Sequence, residues 1–377
     1  MKNILILNYE YPPLGGGAGV VCEKYANLLA KLGNNVVVLT TWFKGEKEFE
    51  ENGNLKIIRL KSLRKKAFQS NPIEMLSWAL KSSIFLKKYL KTNNFDISIA
   101  FFSIPGGIVS RYIYKKFNIP YIISTHGHDI PGFYPEKMKK FHILTNWYTK
   151  KIWQDAKKIL TLTTDMKKLA DNFGESNKNI ILPNGCQSDF FNPGISKKKN
   201  IFTILFVGRL VDQKDPFTMF KSIKILKEKN IDFELKIVGD GPLRKKMEYF
   251  VKDNNLEKNV TFTGWVSKEE IKKYYQSSHV QICSSKVEAM SIAILESLYS
   301  GLYILSTPIS GNNDMITPKI NGDFFNIGDH LELGHKLIDL SSRFNKLKIN
   351  LENIEKLKTK YNWENIIYKL NNIINEL

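Results

Sequence analysis

The sequence predicts an α/β protein made of two Rossmann-like domains, each a doubly wound parallel sheet. The chain has 377 residues, and a domain usually holds about 100–200 residues. Short apolar runs alternate with helical patterns, which is typical of parallel strands covered on both faces. The alternation stops before the polar stretch 192–200 and begins again at residue 201. We therefore predict domains over residues 1–190 and 191–356.

The N-terminal half opens as strand, loop, helix and strand. An apolar run at 3–8 precedes a glycine cluster, and apolar spacing predicts a helix over 20–32 that Gly33 ends. Apolar and β-branched runs predict the strands that follow, at 36–40, 54–60, 96–101, 120–126, 157–163 and 179–185.

The second half repeats this alternation of strands and helices. Strands are predicted at 201–208, 233–239, 259–265, 279–285 and 302–307. Helices are predicted at 216–229, from Pro242, near 267–277, and in a segment that ends near Ser300. The tail from Glu352 has helical apolar spacing, and we expect a helix over about 357–377 to pack back on the N-terminal domain.

The composition favours an anionic partner. The formal net charge is +19 at pH 7, and such an excess attracts nucleic acid, phosphate-rich substrates or an acidic membrane face. A general bias toward Lys, Asn and Ile is the alternative explanation. Nucleic-acid binding stays open on charge alone, although no helix-turn-helix, RRM or zinc-finger signature supports it.

Cysteine usage and apolar segments bear on the compartment. The three cysteines, Cys22, Cys186 and Cys283, are far apart, so neither a disulfide scaffold nor a structural zinc site is expected. A reducing cytoplasm is the simpler interpretation. The apolar run 4–7 is too short for a signal-peptide core, and no stretch approaches the ~18–20 apolar residues of a membrane-spanning helix. We expect a soluble or peripherally bound protein.

Two loops of the N-terminal half could contact a ligand. The loop Pro12–Gly19 contains Gly16 and Gly17 just before a helix, where a phosphate would meet free backbone N–H groups. It matches neither GxGxxG nor the P-loop, and a plain tight turn is the alternative. The strand ending near Ser124 leads to His126, which could touch a substrate or serve as an ordinary hydrogen-bonded histidine. A metal site there is not favoured, because no second His/Asp cluster follows.

Basic and acidic side chains follow two strands of the second half. Arg209 and Lys214 come after the strand 201–208, where an anion would meet them. Glu288 and Glu296 follow the strand 279–285, with an apolar helix beginning near Met290. If both were helical they would lie ~12 Å apart along the axis. Two separate hydrogen-bonding roles on a long ligand therefore fit better than a paired acid and base, and backbone N–H groups at 289–291 would face an anion between them.

In their order and spacing, these motifs resemble the retaining glycosyltransferases of family 4, which have the GT-B fold. The glycine loop resembles the family's N-terminal GG motif, and ILPNGCQSDFFNP (181–193) resembles its interdomain segment. VGRLVDQK (207–214) resembles its phosphate clamp. Glu288 and Glu296 match its E-x7-E signature. The turns at Gly239-Asp240-Gly241 and Thr263-Gly264-Trp265 fall where the family contacts the nucleotide.

The resemblance implies a site between two Rossmann-like domains that face each other across a cleft. Arg209 and Lys214 would stabilise the leaving diphosphate, Glu288 would hold the donor sugar and Glu296 the ribose, and His126 would contact the sugar near the reacting carbon. Glu288, His126, Arg209 and Lys214 are therefore the implied catalytic residues. The remaining implied donor-binding residues are Gly16, Gly17, Gly239, Trp265, Val266, Ala289, Met290 and Ser291.

The resemblance also implies the reaction and its partners. The donor would be a nucleotide diphosphate sugar, with UDP favoured, and no metal or other cofactor would be needed. Transfer would retain the anomeric configuration through front-face attack, with a phosphate oxygen taking the acceptor proton. The acceptor would be a glycan or a polyprenyl-linked sugar in cell-surface polysaccharide or glycoconjugate biosynthesis. A small soluble acceptor, a nucleotide-sugar epimerase, a phosphorylase and a catalytically silent scaffold are the alternatives.

Two departures from the family's motifs qualify the resemblance. Ala289-Met290 replaces the family's Gly-Phe, so a reshaped sugar pocket is expected. Asp314 stands where the family favours a glutamate in the late glycine loop.

Two clusters of basic residues suggest contact with the inner face of the cytoplasmic membrane, or else a solvated face. These are Lys61, Arg64, Lys65 and Lys66, with Phe68 nearby, and then Lys137, Lys139 and Lys140.

Overall fold

The chain folds into two compact units. A computed structural model describes residues 1–67, 70–194, 200–347 and 349–377. The N-terminal unit comprises Met1–Asn184 together with Trp363–Leu377, and the C-terminal unit comprises Gly185–Asn362. The predicted limits, 190 and 356, each lie six residues inside the C-terminal unit (190 against 184, and 356 against 362).

The N-terminal unit is built on an eight-stranded sheet. Its strands are β1 (Asn3–Leu7), β2 (Asn35–Thr41), β3 (Phe49–Asn52), β4 (Leu55–Leu60), β5 (Ile97–Phe101), β6 (Tyr121–Ser124), β7 (Lys158–Thr161) and β8 (Asn179–Ile181). Their order is β3-β4-β2-β1-β5-β6-β7-β8, and all neighbours are parallel except β3 and β4. The helices are α1 (Gly17–Lys31), α2 (Pro72–Tyr89), α3 (Gly107–Phe117), α4 (Pro135–Asp155), α5 (Thr164–Phe173) and, from the chain's end, α13 (Trp363–Asn375).

Helix α13 is part of the N-terminal core. Its apolar residues recur at intervals of three and four, which places them on one face of the helix. That face packs in one cluster with β1 and α1, where Leu370 and Ile367 are buried against Leu29 and Ile4. The Asn34 side-chain amide also donates to Asn371 Oδ1 at 2.9 Å. The end of the chain therefore contributes core side chains to the unit in which the chain begins.

The C-terminal unit has a six-stranded, fully parallel sheet. Its strands are β9 (Phe202–Val207), β10 (Phe233–Val238), β11 (Val260–Gly264), β12 (Val280–Cys283), β13 (Tyr303–Ser306) and β14 (Gly322–Phe324). Their order is β11-β10-β9-β12-β13-β14. The helices are α6 (Pro216–Glu228), α7 (Arg244–Asp253), α8 (Lys268–Ser277), α9 (Ile292–Tyr299), α10 (Ser310–Met315), α11 (His330–Arg343) and α12 (Leu351–Tyr361).

The structure differs from the predicted elements at several points. β3 is an unpredicted antiparallel edge strand, and its sequence FEEN carries none of the apolar alternation that predicts a strand. α1 begins at Gly17 rather than Val20. The helical tail is two helices rather than one, because Asn362 adopts an extended conformation between α12 and α13.

Each sheet has one point where the strand order reverses direction. In the N-terminal unit it lies between β1 and β5, and in the C-terminal unit between β9 and β12. Loops that leave neighbouring strands at such a point diverge to opposite faces of the sheet. This opens a crevice at the carboxyl ends of the strands, where ligands of doubly wound proteins bind.

Candidate functional site

The loops after β9 and β12 lie at the switch point of the C-terminal sheet and are joined by hydrogen bonds. Gln213 Nε2 donates to the carbonyl of Val287 at 2.9 Å, and the backbone N–H of Lys286 donates to the carbonyl of Gln213 at 2.8 Å. Ser284 Oγ donates to the carbonyl of Lys214 at 2.9 Å. The two loops therefore form one structure, which holds the side chains they carry at fixed positions.

Lys214 and Glu288 form an ion pair across this structure. Lys214 Nζ donates to Glu288 Oε1, and Ser285 Oγ donates to the same oxygen at 3.0 Å. Both charged side chains are largely buried. Burial acts to lower the pKa of Lys214, but the Glu288 carboxylate outweighs it, and the net effect is a raised pKa. Lys214 therefore stays positively charged at physiological pH.

Arg209 adds a second positive charge at the same loop. Its side chain is exposed and forms no ion pair or side-chain hydrogen bond with another described residue. Its charge acts to lower the pKa of Lys214, which shows that the two cations lie within electrostatic reach of each other. An exposed guanidinium beside a buried ammonium, at the carboxyl end of a strand, suits an anion with several oxygens.

Gly239 is required by the close approach of two loops. Its φ is +126°, and a Cβ at this position would lie 2.1 Å from the carbonyl oxygen of Gly208. Only glycine lets the loop after β10 pass so near the loop after β9. The predicted donor contacts after β11 are less enclosed, since Trp265 is 70% exposed and Val266 is half-buried.

The segment between β12 and α9 carries four of the predicted donor-binding residues. Glu288, Met290 and Ser291 are buried and Ala289 is half-buried, all ahead of the first residue of α9. Ser291 is the N-cap, but its side chain makes no capping hydrogen bond, so the first N–H groups of α9 have no side-chain cap.

The Ala289-Met290 departure brings no backbone strain. Neither residue is among the described residues with positive φ, so the glycine of the family is not needed for backbone conformation here. Gly311 packs directly on this segment, since a Cβ there would lie 2.7 Å from Met290 Cα. Asp314 is turned toward α12 through its backbone carbonyl, which accepts from the Tyr361 hydroxyl at 2.9 Å.

Glu296 has surroundings of its own. It lies within α9, and the Tyr275 hydroxyl donates to its Oε2 at 2.9 Å. Burial raises the pKa of Glu296 to about 7, although the Tyr275 hydrogen bond and the charge of Lys268 act to lower it. Glu288 and Glu296 therefore have different partners, as expected of two residues with separate roles.

The glycine loop of the N-terminal unit leaves two glycines open. Apart from its chain neighbours and its own helix, no described residue would come within 4 Å of a Cβ built on Gly16 or Gly17. The backbone of this loop is held by hydrogen bonds: the Gly15 N–H donates to the carbonyl of Ala67 at 2.9 Å, and the Gly16 N–H donates to Glu10 Oε2 at 3.3 Å. Packing within the unit therefore does not explain why Gly16 and Gly17 lack side chains.

His126 is a neutral, stacked imidazole. Burial lowers its pKa to about 3. Its ring stacks on Phe101 with centroids 5.0 Å apart, and its Nε2 lies 3.2 Å from Ser124 Oγ. The Asp129 carboxylate fixes this loop. It accepts hydrogen bonds from the backbone N–H of His126 at 2.9 Å and from that of Ser103 at 3.0 Å. Within the described part of the chain, no group of three His, Cys, Asp or Glu side chains could hold a metal ion.

The prediction that Arg64 contacts a membrane surface is wrong. Its side chain is only 2% exposed, and its guanidinium donates to the carbonyls of Lys66 at 2.8 Å and Ala67 at 3.0 Å. Arg64 thus orders the segment that holds the glycine loop. Phe68 lies outside the described residues, whereas Lys61, Lys65, Lys66, Lys137, Lys139 and Lys140 are exposed. Within the ranges described, the helices are all too short or too polar to cross a membrane.

Several partners of the site residues were not predicted. Ser285 and Gln213 fix Glu288 and its loop, and Tyr275 holds Glu296 from a different helix. Ser285 had a usable signal, because it directly follows an apolar strand and stands three residues before Glu288. Tyr275 had none, since its hydroxyl meets Glu296 only because the fold brings together two helices that lie 21 residues apart in the sequence.

Comparison with known proteins connects this chain with one group of enzymes. The family model described as Glycosyltransferase Family 4 matches residues 15–190, and the one described as Glycosyl transferases group 1 matches residues 187–356. The structure is similar to that of sucrose-phosphate synthase from Thermosynechococcus elongatus, with a TM-score of 0.85 and 17% sequence identity over 100% of this chain and 99% of that one. The fold of this chain is GT-B.

Two bacterial relatives have named reactions. The Escherichia coli UDP-Gal:alpha-D-GlcNAc-diphosphoundecaprenol alpha-1,3-galactosyltransferase is 29% identical over 66% of this chain and 67% of its own length. The Campylobacter jejuni GalNAc-alpha-(1->4)-GalNAc-alpha-(1->3)-diNAcBac-PP-undecaprenol alpha-1,4-N-acetyl-D-galactosaminyltransferase is 26% identical over 90% of this chain and 88% of its own length. Both names describe transfer of a sugar to an acceptor carried on undecaprenyl diphosphate.

Proposed function

Since this chain belongs to the group 1 glycosyl transferases, the family 4 enzymes of the GT-B fold, we propose that it is a retaining glycosyltransferase that uses a UDP-sugar. Its proposed acceptor is a sugar on polyprenyl diphosphate, or the growing glycan, in cell-surface polysaccharide or glycoconjugate biosynthesis. The reaction would take place at the cytoplasmic face of the membrane, with the enzyme bound peripherally.

The observation that carries the proposal is the pair of cations at the switch point of the C-terminal sheet. In sugar transfer the bond from C1 to the diphosphate oxygen breaks, and its electron pair stays on the diphosphate. Negative charge therefore grows there in the transition state, and fixed positive groups lower the barrier. Arg209 is exposed and free to bind the diphosphate oxygens, and Lys214 lies within electrostatic reach of Arg209. We propose that these two residues replace a metal ion, so that no cofactor is needed.

Glu288 takes the donor sugar in this proposal. When a diphosphate binds, Lys214 turns its charge toward phosphate, and the Glu288 carboxylate is left to accept hydrogen bonds from sugar hydroxyls. The acceptor hydroxyl forms the new bond to C1 on the face that the diphosphate leaves. Its proton passes to an oxygen of the departing diphosphate, so the products are the glycoside and UDP.

The other site residues hold the ends of the donor. Glu296 is proposed to accept hydrogen bonds from the ribose hydroxyls, and the uncapped N–H groups at the start of α9 are proposed to face the diphosphate. In the N-terminal unit, Gly16 and Gly17 leave room for a ligand at the backbone. The neutral imidazole of His126 could donate a hydrogen bond to the sugar near the reacting carbon.

The named relatives support the choice of donor and acceptor. The Escherichia coli relative has UDP-Gal as its donor by name, and both relatives have acceptors on undecaprenyl diphosphate. Undecaprenyl diphosphate is an anionic lipid, which suits a chain with a net charge of +19.

Turnover of defined substrates tests the proposal. The purified enzyme is incubated with UDP-, GDP- and ADP-sugars and either a polyprenyl-diphosphate-linked GlcNAc or a small soluble sugar, with and without EDTA. We expect transfer from a UDP-sugar to the lipid-linked acceptor, unaffected by EDTA, with the donor's anomeric configuration kept in the NMR spectrum of the product. Inversion would overturn the retaining mechanism, and dependence on a metal would overturn the proposal that Arg209 and Lys214 replace one. Transfer only to the soluble sugar would overturn the lipid-linked acceptor.

Nucleotide binding provides a test that does not need the acceptor. At 100 times its dissociation constant, a ligand stabilises the folded protein by about 2.7 kcal/mol. We expect UDP to raise the melting temperature and GDP and ADP to raise it less. Equal melting temperatures with and without all three nucleotides would count against a nucleotide-sugar site.

A further inference from the structure

Helix α2 carries a row of exposed apolar side chains. Ile73, Leu76, Leu80 and Ile84 are 54–70% exposed. At 100° per residue they fall within ~80° around the helix, so they form one continuous row, here called the α2 stripe. The opposite side of α2 is packed, with Trp78 1% exposed. The stripe is therefore fixed on the outside of the N-terminal unit and is not a row of core residues left partly uncovered.

The helix is held rigidly in this orientation. Asn71 and Glu74 form a capping box at its N-terminus, with hydrogen bonds of 3.0 and 3.1 Å in the two directions. The Glu74 side chain also accepts from the backbone N–H of Lys65 at 3.0 Å. Glu74 is the acidic residue of this helix, and it is buried. The exposed side of α2 therefore presents no negative charge of its own.

Lysines border the stripe. Lys81, Lys87 and Lys88 are exposed on α2, and neither Lys87 nor Lys88 forms an ion pair with a described residue. On the Lys81 side a groove of about 690 Å³ runs between α2 and the end of β4. Its lining is largely apolar but includes three lysines; the residues are Leu60, Lys61, Lys81, Ile84, Phe85, Lys88 and Tyr89. Apolar side chains with lysines around them match both layers of an anionic membrane surface, the acyl chains and the phosphates.

Helix α4 presents a second row of the same kind. Ile143, Leu144 and Trp147 are 62–74% exposed, and Lys151 lies 5.1 Å from the centroid of the Trp147 ring. Both α2 and α4 pack against α3 in the N-terminal unit. Tryptophan is enriched at the membrane interface, where one part of its side chain is in lipid and another in water.

We propose that the α2 stripe and its lysines dock the enzyme on the anionic phospholipids of the membrane that carries its acceptor. The stripe enters the headgroup region, and Lys81, Lys87 and Lys88 meet lipid phosphates. The purpose of docking rests on the proposed lipid-linked acceptor, but the docking itself does not require turnover. A second copy of the chain is the other occupant that could cover an apolar row, and it is an outcome of the test below.

Vesicle sedimentation with matched variants tests the proposal. The full-length protein is mixed with vesicles of phosphatidylcholine alone, or with 30% phosphatidylglycerol, at low salt. We expect binding to the anionic vesicles only. Leu80→Glu with Ile84→Glu should weaken this binding at least tenfold, and so should Lys87→Glu with Lys88→Glu. The matched controls are Ile327→Glu with Leu331→Glu and Lys245→Glu with Lys246→Glu, exposed residues of the C-terminal unit that should leave binding within twofold.

Melting temperature, association state and turnover separate the outcomes. Because the changed side chains are exposed, all variants should melt with the wild type, and UDP should shift each melting temperature equally. The stripe variant should lose transfer to an acceptor embedded in vesicles while keeping transfer to a short-chain, water-soluble one. Wild-type affinity of the stripe variant for anionic vesicles would overturn the proposal. The proposal would also be overturned if sedimentation velocity showed a wild-type dimer, and the stripe variant lost this dimer but still bound vesicles as the wild type does. Vesicle binding without any transfer would instead refute the proposed function and leave the docking surface standing.

Discussion

Lys214 and Glu288 neutralise each other, so a substrate can use either one only by replacing its partner. A diphosphate oxygen can replace Glu288 beside Lys214, and sugar hydroxyls can replace Lys214 beside Glu288. Buried ion pairs contribute little net stability, because the cost of removing water from both charges offsets their attraction. We therefore regard this pair as a means of keeping two charged side chains ready in a half-buried site.

Replacing Glu288 by glutamine should affect catalysis strongly. The amide keeps the shape of the side chain but gives Lys214 no counter-charge and the sugar hydroxyls a weaker acceptor. We expect kcat/KM to fall by roughly 10–10²-fold, because a hydrogen bond to a charged acceptor contributes about 1.5–3 kcal/mol. Steady-state kinetics on the wild type and on Glu288→Gln measure it.

A neighbouring ion pair provides the control. Lys286 Nζ and Asp212 Oδ1 are 3.1 Å apart and join the same two loops, but both side chains are at least one-third exposed. Asp212→Asn should change stability by less than ~1 kcal/mol and leave kcat/KM within a few-fold. Comparable losses in both variants would mean that the joining of the loops, and not the buried carboxylate, matters for activity.

Glu296 should make stability depend on pH. Its carboxyl is buried, so its pKa is raised from 4.5 to about 7 in the folded protein. The folded state then holds a proton that the unfolded state has released, and stability falls as pH rises from about 4.5 to 7. At about 1.4 kcal/mol per pKa unit the loss is on the order of 3 kcal/mol. Denaturant unfolding at several pH values should show this fall in the wild type and a smaller one in Glu296→Gln.

The same titration should act on nucleotide affinity in the opposite direction. A carboxylate accepts hydrogen bonds from two ribose hydroxyls better than a carboxylic acid does. If Glu296 holds the ribose, UDP should bind more tightly as pH rises through about 7. Calorimetry between pH 6 and 8 measures this. Glu296→Gln shows the pH dependence that belongs to UDP itself, and equal slopes in both proteins would exclude the proposed role.

The position of three charged residues near one edge of the sheet could be predicted from the sequence because they follow strands. Arg209 comes just after β9, Lys214 and Glu288 stand in the loops after β9 and β12, and carboxyl ends of parallel strands share one edge of the sheet. The Lys214–Glu288 pair itself could not be predicted. It depends on how two loops separated by 74 residues are hydrogen-bonded to each other, which no local pattern records.

Among the elements, the crossing of the loops after β9 and β10 depends on one glycine. Gly239→Ala would place Cβ against the carbonyl of Gly208 at a φ of +126°. We expect a loss of about 1–3 kcal/mol from backbone strain alone, with a further loss from the clash. Thermal or denaturant unfolding measures this loss, and an unchanged melting temperature would mean that the loops can separate freely.

Gly17→Ala should behave in the opposite way. Gly17 is the first residue of α1, and no described residue beyond its own chain surroundings would meet its Cβ. Alanine favours the helix, so stability should stay equal or rise by up to ~1 kcal/mol. If a ligand approaches the backbone here, kcat/KM should fall more than tenfold. Full activity in Gly17→Ala would show that the glycine is only a turn residue.

The strands were easier to predict than the surface elements. Buried parallel strands are continuous apolar runs, which stand out in the sequence. β3 was missed because an exposed edge strand with the sequence FEEN needs no apolar face. The α2 stripe was missed because no helix was predicted between the strands 54–60 and 96–101, and only the structure shows Trp78 and Leu86 on the buried side of α2.

On the scale of the whole molecule, the N-terminal unit depends on the end of the chain. Leu370 in α13 is fully buried in the core with β1 and α1. Leu370→Ala should cost 2–5 kcal/mol, the usual range for a buried leucine, whereas Tyr368→Ala, at an exposed position of the same helix, should stay within about 0.5 kcal/mol. Hydrogen exchange should speed up in residues 1–184. Faster exchange confined to residues 185–362 would contradict this assignment of α13.

The two-unit organisation was visible in the sequence, and both predicted junctions lie six residues from those of the structure. The restart of the strand pattern at residue 201 indicates a second sheet because each doubly wound unit needs its own set of strands. The division within the tail was placed at residue 356 and not at 362, because the apolar spacing continues through residues 352–377. A single extended residue, Asn362, separates a helix of one unit from a helix of the other.

The return of α13 sets the order in which the molecule can be completed. During synthesis, the N-terminal sheet leaves the ribosome first but lacks the Trp363–Asn375 part of its core until the segment Gly185–Asn362 has also emerged. The C-terminal unit, made as the uninterrupted segment Gly185–Asn362, can finish folding before the unit that precedes it. A gene exchange meant to alter donor preference should therefore replace this segment as an internal cassette with two junctions. A chimera joined at a single point would combine a core from one parent with a closing helix from the other.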